Sequence, residues 1–137
     1  MKREIEVKFI VDTNAGKLAK WLRMLGYEVI EVNAGEKAHE EETYYNKRAE
    51  MWDRMRKWLQ SGVDIPNDSE LRQGLIGIEF TFDDKERIRM ERKKDMKKRG
   101  LPSPDEAEAV MHTFAEEVGD IRRQYFEPDT SFEPEAA

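Results

Sequence analysis

VKFIVDTNAGKLAKWLRMLGYEVIEV, from Val7 to Val32, is the stretch whose reading decides the fold. Val7 to Val11 is apolar except for Lys8, as a buried strand would be, and Asp12 ends it. Thr13 or Asn14 can cap a helix whose Leu18, Trp21, Leu22 and Leu25 recur at i, i+3, i+4 and i+7, so these four are its expected buried face. Gly26 is placed to stop that helix, and Tyr27 to Val32 reads as a second strand. Strand, helix and strand this close together predict a right-handed βαβ unit with parallel strands, hence an α/β class. In open α/β sheets ligands gather beyond the carboxyl ends of the strands. Asp12 stands at such an end. It reads equally as a ligand-site acid or as a turn and cap residue.

Downstream, Asn33 to Glu42 is a polar, acid-rich loop. Tyr45, Ala49, Trp52, Met55, Arg56 and Leu59 mark a long amphipathic helix over 43–60, with Arg48, Arg54, Arg56 and Lys57 on its polar side and Gly62 closing it. Asp68 or Ser69 caps a short helix through Leu75. Ile76 to Phe82 alternates as a strand, Asp83 to Glu86 turns, and Arg87 to Glu91 returns, predicting a β-hairpin. A basic run, Arg92 to Arg99, ends at Gly100. Ser103 then heads a C-terminal helix as its N-cap, with Pro104 at the first helical position and Glu106 completing a capping box. Val110, Phe114 and Val118 form its apolar stripe, with Ala107 and Met111 beside it.

On that last helix Asp105 and Glu108 lie at i and i+3, and His112 falls four after Glu108 on the same side. Two carboxylates one turn apart can hold one hard divalent cation or bridge two. First-turn acids equally favour the helix dipole with no ligand at all. His112 either orients a water or phosphate in a site or is a packing or surface residue.

The chain has 137 residues, enough for one core, with 39% charged and 38% hydrophobic residues and a net charge of −6. That sum argues against indiscriminate polyanion binding. The distribution is uneven. Residues 85–99 carry nine Lys/Arg against three acids, a local +6, and residues 104–137 carry ten acids against two Arg, a local −8. With no cysteine there is no disulfide framework or thiolate metal site. No secretory h-region or long apolar run occurs, so the expectation is a soluble cytoplasmic protein without a membrane partner. Residues 1–120 are expected to form the domain, and 121–137 a disordered acidic tail.

Three blocks taken together resemble one family. Tyr45–Trp52 (YNKRAEMW), Lys94–Gly100 (KDMKKRG) and Ser103–Ala109 (SPDEAEA), preceded by Val29–Ala38 (VIEVNAGEKA), are similar in order and separation to the C-terminal nuclease domain of tailed-phage terminase large subunits. The likeness runs from about residue 7 to 118. It implies an RNase H-like fold and cleavage of concatemeric double-stranded DNA during genome packaging in the host cytoplasm, with two Mg²⁺ or Mn²⁺ ions. It also implies the terminase small subunit and portal as partners. Asp12 matches the family's later strand-end acid, Asp105 the first acid of the helix pair, and Glu108 the second, where the family more often has Asp. These three are the expected catalytic and metal-binding residues, while Lys93, Lys94, Lys97, Lys98 and Arg99 are expected to contact DNA phosphates. The family's first-strand acid would precede Asp12 by more residues than are present, so the expected fold is a partial RNase H-like one: a βαβ unit, a long helix, a β-hairpin and a C-terminal helix. A sheet edge left exposed by missing strands would favour a homo-oligomer. Such a piece would act as the endonuclease or as a non-catalytic DNA-binding or motor-assembly fragment. Over residues 8–27, Lys8–Asp12 followed by Gly16–Tyr27 also resembles PIN-like RNase domains, in which Asp12 would be the first metal-binding acid. Both resemblances require folding to bring position 12 to 105 and 108.

Overall fold

A computed structural model describes residues 7–116. The expected tail over 121–137, and Val118 of the expected helix stripe, lie outside these residues.

The βαβ unit forms as predicted. Strand β1 (Lys8–Asp12) pairs in parallel with β2 (Glu28–Val32), and a 3-10 turn (Thr13–Ala15) and helix α1 (Gly16–Met24) join them. Among the described residues β1 pairs with β2 alone. Strand alternation gives the two faces different work. Ile10, Ile30 and Val32 join the main core, while the opposite face carries Val29 and Glu31, whose carbonyl and carboxylate both receive Arg23 of α1. Asp12 follows Ile10 by two residues and therefore shares the core-side face.

One sequence expectation about this unit is corrected. The stripe Leu18, Trp21 and Leu25 is exposed, Trp21 at 64% and Leu25 at 68%, and the one fully covered residue of α1 is Ala19. A two-stranded sheet offers a narrow face, so the helix lies on it through its small side chains and leaves the large ones to the side.

The core is built around α2 (Lys47–Gln60), capped by the Asn46 side chain, which accepts from the Ala49 N–H. The helix starts four residues later than predicted because Tyr44 and Tyr45 are committed elsewhere: the 43–45 segment runs beside β4 (Ile88–Met90), with Tyr45 N–H donating to Ile88 O and Ile88 N–H to Thr43 O. Met51, Trp52 and Met55 pack against Val32, Leu71, Ala107, Met111 and Ala115. Helix α3 (Ser69–Gly77) is capped by Asp68, as expected, and runs two residues past Leu75. It thereby takes Ile76 and Gly77 from the predicted strand, so β3 is only Phe80–Phe82, paired antiparallel with β4. Asp83 closes the hairpin, its carboxylate accepting from Lys85 and Arg87 N–H.

The basic run becomes α4 (Lys93–Lys98), ended by Gly100 at φ +79°. Helix α5 (Asp105–His112) starts one residue later than its sequence signature predicted. Pro104, rather than Ser103, supplies the first carbonyl, received by Glu108 N–H, and no side chain caps the helix. Its covered line is Ala107, Met111 and Ala115, with Val110 and Phe114 at the margin. Gly74 of α3 lets α5 approach closely: a Cβ there would stand 3.0 Å from that of Ala107. No helix of the described residues is long and apolar enough to cross a membrane.

Candidate functional site

A cleft of about 430 Å³ opens where the carboxyl end of β1, the first turn of α5, the start of α2, β4 and the start of α4 meet. Its walls include Asp12, Tyr45, Arg48, Arg89, Arg92, Lys93, Glu108 and His112. Two of the three nominated acids, drawn from opposite ends of the described chain, thus reach one cavity. Parity along β1 directs Asp12 toward His112 of α5, and Glu108, in the first turn of α5, lines the same cleft facing Arg48 and Lys93.

Glu108 is the most enclosed of the three acids, at 7% exposure. Arg48 of α2 holds one of its oxygens through Nε at 3.1 Å and Nη2 at 2.8 Å, and uses Nη1 on the Glu91 carbonyl at 2.8 Å. The other oxygen lies 2.8 Å from the Lys93 ammonium, which also reaches Asp105 Oδ1 at 3.2 Å. Lys93 is pulled two ways. Partial burial disfavours its charge, but hydrogen bonding and the charge of Glu108, followed by Asp105, outweigh this and hold its pKa above the ordinary lysine value. The Arg48–Glu108 pair, largely removed from water on both sides, is costly to break on one side only, since the surviving partner stays charged and enclosed.

Asp12 takes the turn-capping role its sequence position offered, and it also lines the cleft. One oxygen accepts from Asn14 N–H at 2.7 Å, capping the 3-10 turn, and the other stands 3.2 Å from His112 Nε2. That second contact is within ion-pair distance but is not aligned as a hydrogen bond. His112 Nδ1 is 2.7 Å from the Glu108 carbonyl. A carbonyl only accepts, so Nδ1 carries a proton, and Nε2 can donate toward Asp12 only on the doubly protonated ring. Helical spacing of four therefore makes His112 the link between the two acid-bearing elements.

Asp105 stands apart: it is exposed, does not line the cleft, and is tied to it through Lys93. Among the described residues no three His, Cys, Asp or Glu side chains form a group that could hold a metal ion. Asp105 and Glu108 remain as two carboxylates in the first turn of α5. Their oxygens converge on one positive centre, the Lys93 ammonium, and both are the carboxylate type that Mg²⁺ and Mn²⁺ take.

Of the five residues nominated for phosphate contact, three have acid partners. Lys93 is shared by Glu108 and Asp105, Lys98 lies 3.7 Å from Asp95, and Arg99 holds Glu91 at 2.7 Å and Glu79 at 3.4 Å. The Arg99 guanidinium keeps the Glu91 carboxyl below its ordinary range. Lys94 and Lys97 sit exposed on α4. Three functional candidates, Arg48, Tyr45 and Arg89, have no signal in the sequence that marks them for the site. Arg48 was placed only on the polar side of its helix, and its Arg-carboxylate reach across sixty positions has no local signal. Tyr45 and Arg89, stacked at 4.5 Å in the cleft wall, were assigned to a helix face and a polar strand.

Comparison with known proteins agrees with the two resemblances at different scales. The chain shares its fold with the nuclease domain of the large terminase subunit gp2 of bacterial virus Sf6, at a TM-score of 0.62 and 17% identity over 80% of this chain and 64% of that one. A point mutant of that domain with manganese matches at 0.62 and 17%, over 80% of this chain and 65% of that one. A further mutant form from the same phage, with calcium, matches at 0.62 and 17%, over 80% and 64%. The chain therefore spans about 65% of the length of the solved domain it resembles. The fold is the partial RNase H-like α/β arrangement expected from sequence. The family model described as the Mut7-C RNAse domain matches residues 7–64. No curated protein matches the chain.

Proposed function

We propose that this cleft belongs to a divalent-metal-dependent endonuclease that hydrolyses phosphodiester bonds of DNA, as in the terminase reaction on concatemeric DNA. One observation carries the reading: Asp12 and Glu108 line a single cleft together with four cationic side chains, Arg48, Arg89, Arg92 and Lys93. The shared fold and the manganese and calcium forms of the Sf6 domain support it.

Asp105 and Glu108, with Asp12 across the cleft, would hold Mg²⁺ or Mn²⁺, whose chemistry there is to lower the pKa of water and stabilise the leaving oxygen. The chain's own residues prepare the site. Arg48 fixes the Glu108 carboxylate by a forked contact and anchors itself on the backbone beside β4. Lys93 balances the charge of the Asp105–Glu108 pair. His112 ties α5 to the Asp12 turn. Lys94 and Lys97 extend the positive surface along α4. The terminase small subunit, the portal and a second copy of the chain are the partners of this reading.

The test is nicking of supercoiled plasmid with Mn²⁺ by the parent, Asp12→Ala, Asp105→Ala and Glu108→Ala. Each variant is expected to lose about 100-fold or more in rate, as for other groups that stabilise a charged transition state. Parent-level cutting by Asp12→Ala or Glu108→Ala overturns the site. A parent that retains DNA without cutting it points instead to a binding or assembly module.

A second reading, an RNase, rests on the Mut7-C match over 7–64, which contains Asp12 and Arg48 but neither Asp105 nor Glu108. Single-stranded RNA in the same assay decides between them. Cleavage of RNA but not plasmid, lost in Asp12→Ala, selects it.

A further inference from the structure

The cleft's cations differ in one respect. Arg48 is held by Glu108, Lys93 by Glu108 and Asp105, and Arg92 by Asp95 at 2.7 Å. Arg89 lines the same cleft and, among the described residues, has no carboxylate at ion-pair distance. Its contact is aromatic: the guanidinium carbon lies 4.5 Å from the centre of the Tyr45 ring, with Arg87 at 5.3 Å from the same ring and engaged by Asp83.

The backbone enforces this stack. Pairing of residues 43–45 along β4 fixes the parity of the two tyrosines. Tyr44 goes inward, where it is buried and donates to Asp53, so Tyr45 must point outward beside Arg89. A guanidinium on an aromatic ring keeps its in-plane N–H groups free, is weakly hydrated, and presents a flat fork suited to two oxygens of one phosphate. Arg89 also lines the adjoining groove, where Glu91 is engaged by Arg99, Asp95 by Arg92 and Glu79 lies near Arg99, so it stands where the two depressions meet.

We propose that Arg89, held on Tyr45, is the anchor for a phosphate of a nucleic-acid backbone entering the cleft, in place of the paired cations of α4. The assignment deepens the nuclease reading by naming the residue that grips the strand, and it is tested without chemistry. Anisotropy of a fluorescein-labelled duplex DNA and of a labelled RNA strand is followed in EDTA over a salt series. The proteins are the parent, Arg89→Ala, Arg89→Lys, Tyr45→Phe, Tyr45→Leu and, as a charge control on α1, Lys20→Ala. Circular dichroism confirms folding.

Arg89→Ala is expected to weaken binding about tenfold and to reduce the slope of log Kd against log salt by about 0.9, the share of one duplex phosphate. Arg89→Lys keeps the charge but loses the fork, so it recovers part of the affinity. Tyr45→Phe binds as the parent, whereas Tyr45→Leu falls toward Arg89→Ala because the ring is the platform. A slope in Arg89→Ala equal to that of Lys20→Ala overturns the anchor, as does a parent that binds neither probe. Loss confined to one probe identifies which nucleic acid the anchor serves. Binding that depends on Arg89 without any metal-dependent cutting supports the anchor and sinks the nuclease, so the two failures are separable.

Discussion

Helices α1 and α2 are both amphipathic by sequence, yet one leaves its large apolar residues in solvent and the other buries charge. On α1, Trp21, Met24 and Leu25 are exposed while Ala19 is covered. On α2, Glu50 and Asp53 are buried together with Ala49, Met51, Trp52 and Met55. The difference lies in what each helix meets. Among the described residues, helix α1 lies against the narrow β1–β2 pair. Helix α2 touches α5 and β4 and packs with Leu71 of α3, so two acids of its polar side, Glu50 and Asp53, are enclosed as well. Its buried acids are tolerated because each is answered. Glu50 accepts from Glu40 N–H and lies 3.4 Å from Arg54, and Asp53 accepts from Tyr44 and Arg56 with Lys57 at 3.1 Å. Periodicity thus reports that a helix has a face; the size of the opposing surface decides whether the face is used.

The largest expected effect is on α2. Met51, with no exposed surface, is surrounded by core side chains, so Met51→Ala should cost about 2–5 kcal/mol in urea unfolding. A loss below about 1 kcal/mol would mean that α2 is not the centre of the core.

A middle effect comes from its buried carboxylate. Burial alone would raise the Asp53 pKa, but hydrogen bonds from Tyr44, Arg56 and Lys57 outweigh burial and hold it below the ordinary value of 3.8. Asp53 therefore stabilises the fold at pH above that ordinary value, and the contribution is lost as pH falls through the lower folded value. Tyr44, whose own pKa is raised by burial and then by Asp53, is the donor to remove. Tyr44→Phe should cost about 1.5–3 kcal/mol at neutral pH and flatten the acid limb of the stability curve. An acid limb identical to the parent's would show that the Tyr44 hydrogen bond does not set the Asp53 pKa.

The smallest effect belongs to α1. Trp21→Ser should change stability by no more than about 0.5 kcal/mol, as for other solvent-facing positions. A cost near that of Met51→Ala, above all one that depends on protein concentration, would show this stripe buried against another copy.

The candidate site was legible to different depths. Asp12 could be singled out because a strand ending in an acid next to a helix is a local pattern, and Asp105, Glu108 and His112 because three- and four-residue spacings on a helix are local too. Arg48 and Arg89 could not, since the first acts through an acid far along the chain and the second through the parity of a neighbouring segment. The misread ends of the hairpin and of α5 have a common cause: a cap or strand signal was assigned one or a few residues from where packing against α3 placed it.

Residue order alone determined the α/β class, the parallel βαβ unit, the approximate positions of α1, α2, α3, α5 and the hairpin, and which acids were candidates, because all of these follow from short-range periodicity and backbone preference. Tertiary structure alone decided which apolar faces are covered, that Glu108 is clasped by Arg48 and Lys93 while Asp105 stays outside the cleft, and that Arg89, with no carboxylate at ion-pair distance among the described residues, stacks on Tyr45. Burial and ion pairing depend on which surfaces are opposed across the chain, and sequence spacing along one element carries no record of that.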